Sequence, residues 1–215
     1  MIRPSINRKR ILDCILIALT CPLWLPFVVC ISIWIKMVSK GPVLFKQQRV
    51  GKGGCIFSIL KFRSMHVAAA TQVHSDYYKQ LVMTDAPMIK LDDQQDNRII
   101  PGGKFLRALG LDELPQLFNV LLGDMSLVGP RPCTVVEHEL FSDDQKARVN
   151  VLPGLTGYWQ VCGKNKLTFT QMITLDLQYA KHTNTLFDLA IIIATIPAML
   201  LQYVESKSCY KGNPV

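Results

Sequence analysis

At 215 residues, 49% of them hydrophobic, the chain is long enough for one compact domain and too apolar for a disordered one. A formal charge of +8 calls for an anionic partner, and with no zinc-finger spacing, RNA-recognition signature or lysine tract, nucleic acid ranks behind anionic lipid and phosphorylated small molecules. The seven cysteines are scattered without a CxxC pair, which argues against a disulfide framework or a cysteine metal site.

Arg3, Arg8, Lys9 and Arg10 precede an almost wholly apolar run over residues 11–35. About 20 apolar residues cross a bilayer, so a transmembrane helix is the plain reading. The run is long for a cleaved signal peptide, and no small-residue cleavage site follows it. Asp13 sits near the cationic flank, where it can pair with Arg10 or Lys9. Pro22 and Pro26 each remove a backbone donor and clash with the preceding turn. A break there leaves two pieces of about 10–12 residues, each ~16 Å long and short of a ~30 Å hydrocarbon core. Cations at both ends, Lys36 and Lys40 among them, favour the cytoplasmic side for both. A re-entrant helical hairpin is expected, with a kinked span as the alternative, because transmembrane helices tolerate proline.

Residues 43–48 and 55–62 flank Gly51-Lys52-Gly53-Gly54 and predict a β-hairpin. The Gly-Lys pair lacks phosphate-loop spacing. Lys61 and Arg63 fall on one face of an extended strand, with Phe62 on the other. Residues 64–101 turn polar, and Asp92-Asp93 reads as part of a solvated loop. Pro101-Gly102-Gly103 punctuates the chain, and Arg107 follows five residues before the next acidic pair.

That pair opens residues 111–132, LDELPQLFNVLLGDMSLVGPRP. Asp112 and Glu113 precede Leu114, Leu117, Phe118 and Leu121, which repeat at i, i+3, i+4 and i+7 on one helix face. Asp112 stands where an N-cap belongs, Pro115 fits the first turn and Gly123 ends the helix. Gly129-Pro130-Arg131-Pro132 then holds one guanidinium on a stiff backbone. Residues 133–149 read as a surface helix of mixed charge, with His138 lacking an obvious partner. Residues 152–157 form a turn cluster, 158–161 a short strand, and 162–165 a glycine turn presenting Lys164. Helical spacing returns over 168–181. Residues 186–201 form an apolar helix interrupted by Asp188 and Pro197, short for a span and suited to an interface or a core.

A carboxylate near its reference pKa of ~4 is ionised at neutral pH and attacks phosphorus without an activating base. Two carboxylates also hold Mg²⁺ together with substrate phosphates, and nearby cations neutralise charge in phosphoryl transfer. On its own, an Asp-Glu at a helix start is an ordinary cap with a dipole partner.

Longer blocks add to this. KRILD with CP at 9–22, FKQQRVG at 45–51, ILKFRSM at 59–65 and FLRALGLDELPQLFNVLLGDMSLVGPRP at 105–132 are four of them. LPGLTGYWQVCGKN at 152–165 and LDLQYAKH with LFDLAI at 175–191 complete the set. Together they resemble the bacterial sugar transferase family, the monotopic phosphoglycosyl transferases that start glycan assembly on a polyprenol carrier. Only residues 66–95 and the last dozen fall outside the resemblance.

The resemblance implies an α+β, predominantly helical, monotopic membrane protein. It would have a re-entrant helix-break-helix over 1–40, a catalytic domain with a short β-hairpin over 41–185, and an interfacial helix and tail over 186–215. It implies a ping-pong transfer of phospho-sugar from a UDP-sugar to polyprenol phosphate, undecaprenyl phosphate being the expected carrier. Asp112 would be the nucleophile, expelling UMP and forming an aspartyl phospho-sugar; Glu113 would be its partner at Mg²⁺. Lys61, Arg63, Arg107, Arg131 and Lys164 are the candidate phosphate contacts, Arg63 on its strand position alone. The family's helix break falls at a Ser-Pro, here Cys21-Pro22, with Pro26 as a second break. Cys21 weakens any serine-dependent bracing, and Lys164 replaces a frequent arginine by a point charge. The setting is the cytoplasmic face of a bacterial inner membrane, with membrane lipid as partner and a monomer or homodimer as the assembly. The alternatives are a non-catalytic membrane-anchored scaffold or lipid-binding module, and a UDP-sugar hydrolase. The sugar and the pathway are not written in these residues.

Overall fold

A computed structural model describes residues 8–66, 84 and 98–211, so Asp92-Asp93 and most of the 66–95 segment lie outside the described residues. The chain is mostly helical with small two-stranded sheets. Its first element, α1 (Arg8–Val38), is one helix of 31 residues with Pro22 and Pro26 inside it. At 1.5 Å per residue it is ~46 Å long, and it is apolar and long enough to cross a bilayer. Helical backbone continues through both prolines, so the two pieces expected on either side of Cys21-Pro22 and Pro26 belong to one helical element. In the turns before Pro22, the Thr20 hydroxyl donates to the Leu16 carbonyl at 2.7 Å and the Trp24 indole to Ile17 at 3.2 Å. These side chains bring donors to the stretch where proline withdraws one.

Asp13, Ile17, Trp24, Ile31 and Ile35 are the buried residues of α1, spaced by four and seven so that they form one stripe. The opposite surface is apolar as well: Leu19, Leu23, Phe27 and Met37 all point outward. Asp13 does not make the expected pair with Arg10 or Lys9. It accepts hydrogen bonds from the Ser126 hydroxyl at 2.7 Å and the Leu127 N–H at 3.3 Å. Lys9 reaches past it to the Val128 carbonyl at 2.9 Å and the Asp188 carboxylate at 2.6 Å. Arg10 donates to the carbonyls of Val120 and Leu121. Lys9, Arg10 and Asp13 are thus all engaged with the folded domain, as buried charge must be.

The hairpin is present as expected: β1 (Leu44–Val50) pairs antiparallel with β2 (Ile56–Phe62) around a tight turn, with Phe45 opposite Lys61 and Arg49 opposite Phe57. Arg63 lies just beyond β2 and is 4% exposed. Its guanidinium donates to the Lys40 carbonyl at 2.7 Å and to Ser39 at 2.9 Å, closing the chain that leaves α1. The expected solvated face shared with Lys61 is corrected accordingly: Arg63 has left the strand and is consumed in capping.

Next come α2 (Gly103–Ala108) and α3 (Gln116–Leu122), then β3 (Ser126–Val128). Gly123 ends α3 in the left-handed region at φ 92°, as expected. The expected surface helix over 133–149 is instead α4 (Val135–Leu140), α5 (Asp143–Lys146) and a 3₁₀ turn, in which Glu137 and Arg148 are buried. The strand expected at 158–161 is the helical turn α6 (Tyr158–Val161); the strand is β4 (Gly154–Thr156), parallel to β3. α7 (Phe169–Lys181) starts on a Thr168–Gln171 capping box. α8 (Thr185–Lys211) runs through Asp188 and Pro197.

Two apolar clusters join α1 to the rest. Ile17 and Trp24 pack with Ile59, Leu117, Val120 and Met125; Ile31 and Ile35 pack with Phe62, Ile100 and Leu106. The β3–β4 crossing is close enough to require glycine. A Cβ on Gly154 would stand 2.0 Å from the Gly129 nitrogen, and one on Gly129 would stand 2.3 Å from the Leu152 carbonyl oxygen. Backbone cannot yield there as a flexible side chain would. Gly154→Ala is expected to destabilise the protein by at least about 2 kcal/mol, read as a lowered denaturation midpoint in detergent; an unchanged midpoint would contradict this crossing.

Candidate active site

The acidic pair is held by a turn, not by a helix cap. α2 carries Arg107 in its last turn, and Gly110, at φ 68°, lets the chain reverse into a 3₁₀ turn over Leu111–Glu113. The Glu113 N–H closes that turn on the Gly110 carbonyl at 3.1 Å. Pro115 occupies the N-cap of α3, so the expectation that Asp112 caps this helix is corrected. Leu114 and Phe118 pack against the core with buried Leu117, whereas Leu121 is exposed, because the buried face of α3 is centred on Gln116, Leu117 and Val120. Leu111 and Leu114 pack against the cluster of Ile31, Ile35, Phe62, Ile100 and Leu106. Apolar residues on either side of the dyad thus tie the turn to the core that α1 shares with β2 and α2.

Lys61 crosses from β2 to this turn. Its ammonium donates to Glu113 Oε1 at 2.7 Å, with both side chains partly exposed. An ion pair open to solvent is worth at most ~1 kcal/mol of stability, so its consequence is placement of charge beside the dyad. Lys61, Glu113, Asp112 and, through the packing of α2 on the turn, Arg107 form one neighbourhood. The sequence-predicted Arg63 is not among them.

Arg131 belongs to a second cluster. Residues 130–133 offer four successive carbonyls, and each receives a donor from a different place. Gly154 N–H binds Pro130 at 2.9 Å, Arg148 binds Arg131 at 2.9 Å, Arg49 binds Pro132 at 3.0 Å, and Val50 N–H binds Cys133 at 2.9 Å. The Arg131 guanidinium donates to Glu137 Oε1 at 2.9 Å, and Arg49 lies 3.7 Å from Oε2. Burial alone would raise the Glu137 carboxyl, yet Arg131, Arg49 and the Thr134 N–H outweigh it and hold it below the usual carboxylate range. Behind it Arg148 is paired with Asp176; there burial dominates, and Asp176 is pushed up to about 6 despite its partner.

Arg49 is four ladder positions from the level of Lys61 on the same hairpin face, roughly 13 Å at ~3.3 Å per residue. The two clusters therefore lie toward opposite ends of the hairpin, with buried Ile59 between their levels on that face. Lys164 opens the 3₁₀ turn after Gly163 with φ 42°, a strained value for a side-chain-bearing residue. Glu137, Arg49, Arg148 and Asp176 were not singled out by sequence reading. For Glu137 a signal existed: Thr134-Val135-Val136-Glu137 is the capping-box pattern, and the box is formed.

Among the described residues no three His, Cys, Asp or Glu side chains gather into a metal site. The hard oxygen donors of Asp112 and Glu113 fit Mg²⁺ in its usual protein setting, one or two carboxylates completed by substrate phosphates.

Comparison with known proteins matches residues 5–202 to the family described as bacterial sugar transferase. Over 162 residues the chain is 47% identical to the galactosyl transferase CpsE of Streptococcus agalactiae, covering 75% of this chain and 35% of that protein. It is 39% identical over 201 residues to a UDP-glucose:undecaprenyl-phosphate glucose-1-phosphate transferase of Caulobacter vibrioides, covering 90% and 70%. Identity to the exopolysaccharide production protein ExoY of Rhizobium meliloti is 35% over 199 residues, covering 90% and 85%. The chain thus spans about a third of the length of some relatives and most of others. With the family pattern matched from the first turns of α1 into α8, the chain belongs to the bacterial sugar transferases.

Proposed function

We propose that this chain transfers a sugar phosphate from a UDP-sugar to undecaprenyl phosphate at the cytoplasmic face of the inner membrane, giving undecaprenyl-diphospho-sugar and UMP. The observation that carries the proposal is the dyad turn: an Asp-Glu pair beside a lysine ammonium, with Leu111 and Leu114 packed into the cluster that the apolar helix α1 shares. In this reading a soluble nucleotide and a lipid phosphate both reach Asp112. Relatives named for this chemistry support it, and they differ in the sugar they are named for, glucose in one and galactose in another.

In the first step an Asp112 carboxylate oxygen attacks the β-phosphorus of the donor. The bond from that phosphorus to the bridging oxygen breaks, and UMP leaves as an anion that needs no proton. Lys61 and Arg107 offset charge on the phosphoryl oxygens, and Arg131 is the further cation assigned to the diphosphate. In the second step a phosphate oxygen of the lipid attacks the same phosphorus and the Asp112 carboxylate departs, restoring the enzyme. Asp112 and Glu113 would hold Mg²⁺, which would supply further charge neutralisation. Glu113 also keeps the Lys61 ammonium at the site through their 2.7 Å pair.

The anchor is monotopic in this proposal, with both ends of α1 on the cytoplasmic side. Its support is that both ends bind the same domain: Lys9 and Asp13 at one end, Ile35 and the Arg63 cap at the other. A plain span would carry one set of these contacts across the bilayer.

UMP release from a panel of UDP-sugars, with and without Mg²⁺ and undecaprenyl phosphate, tests the activity; no release from any donor would reject it, and turnover without the lipid would favour the hydrolase. Asp112→Asn should lower release by about 10³-fold or more, and near-normal release would remove Asp112 as nucleophile. Lys61→Ala should cost about 10²-fold in rate, with partial recovery in Lys61→Arg. For topology, Ser5→Cys and Lys40→Cys in a cysteine-free background should both resist an impermeant thiol reagent added to intact cells. Labelling of just one of them would mean that α1 spans.

A further inference from the structure

We propose that Glu137 is the positioning residue of the donor site, orienting the Arg131 guanidinium toward the donor phosphates through the ion pair they form. This rests on the function proposed above, in which Arg131 contacts the donor.

The residue is built in with unusual completeness. Glu137 is 1% exposed, and both carboxylate oxygens are engaged. Oε1 accepts from Arg131 at 2.9 Å; Oε2 accepts from the Thr134 N–H and faces Arg49 at 3.7 Å. A fully buried carboxylate carries a large desolvation cost, offset only by partners of this kind. Here they keep it ionised: its carboxyl is held below the usual range in spite of burial.

The backbone explains why a side-chain director matters. With the carbonyls of residues 130–133 each tied to another element, the Arg131 Cα is immobile, and its remaining freedom lies in side-chain torsions. A bond from Glu137 to one guanidinium nitrogen restricts those torsions, because the planar fork turns as a unit. About a fifth of the Arg131 side chain stays exposed, whereas Glu137 is shut off from solvent. The arginine can meet a ligand; the glutamate acts only through it. Arg49, Arg131 and Arg148 also crowd together, and the negative charge of Glu137 lets two of them approach each other.

A residue needed only as a cap would be served by glutamine, since either side chain closes a capping box. A charged director would not, which makes Glu137→Gln the discriminating change. UMP is the probe for equilibrium binding, and the donor is whichever UDP-sugar supports UMP release. In Glu137→Gln the melting temperature should fall, since Arg131 and Arg49 lose a buried counter-charge, and in the protein that remains folded donor KM and the Kd for UMP should rise about tenfold while kcat changes less than about threefold. Arg131→Ala should show at least the same rise, and adding Glu137→Gln to it should produce no further change. Unaltered KM and Kd in Glu137→Gln would overturn the proposal, as would an effect that multiplies in full on the Arg131→Ala background. Unaltered KM and Kd in Arg131→Ala would instead refute the role given to Arg131, and the proposal with it. Should Glu137→Gln fail to fold, Glu137→Asp keeps the charge and shortens the reach. It should give the same Arg131-dependent rise, and a rise independent of Arg131 would be equally fatal.

Discussion

The fold hangs on the hydrogen bonding of eight residues, 126–133. Asp13 takes the Ser126 hydroxyl and the Leu127 N–H, and Lys9 takes the Val128 carbonyl; β4, Arg148, Arg49 and β1 supply donors to the carbonyls from Pro130 to Cys133. A three-residue strand is too short to be stable alone. This one persists because the membrane helix, the hairpin and the C-terminal half all terminate their polar groups on it. The Tyr179 hydroxyl, donating to Asp188 at 2.6 Å, ties α7 and α8 into the same knot. Net hydrogen-bond energies of about 1 kcal/mol each are modest, but leaving one of these groups buried and unpaired would cost more.

That arrangement links two demands that usually conflict. An anchor must present apolar surface outward, and a phosphate site must hold several cations near one another. The chain separates them by depth. Leu19, Leu23, Phe27 and Met37 of α1 point away from the domain, Lys9, Arg10 and Asp13 are bound to it, and the Asp112-Glu113 turn carries leucines that pack into the cluster of Ile31 and Ile35. Cations at the site are of two kinds. Lys61 is partly exposed and paired with a partly exposed acid, while Arg131 is braced by a buried one.

Much of the local structure could be read from residues because the signals are local. Gly51-Lys52-Gly53-Gly54 between apolar runs gave the hairpin, Gly123 the end of α3, and Thr168 with Gln171 the start of α7. The dyad was visible as adjacent carboxylates, but its backbone was not, since Gly110 resets the chain before the helix that appears to begin at Asp112. Arg63 misled because strand alternation assumes that the strand continues. What stayed hidden was long-range: the capping-box pattern marks Glu137 but not its arginine partners, and only tertiary contacts bring Arg148 and Asp176 together in the interior. The β3–β4 pairing was hidden likewise, joining segments 28 residues apart in register through strands of three residues each.

The stripe of α1 also has a practical side. Ile17, Trp24, Ile31 and Ile35 form the lid of the interior, lying over Ile59, Leu117, Val120 and Met125 at one level and Phe62, Ile100 and Leu106 at the next. Cutting the chain after residue 40 would strip that lid and bare the hydrophobic floor beneath it, leaving an aggregating remnant in place of a soluble catalytic fragment. The anchor is part of the enzyme's interior, so extraction with its lipid or detergent belt intact is the only form in which the dyad can be expected to keep its shape.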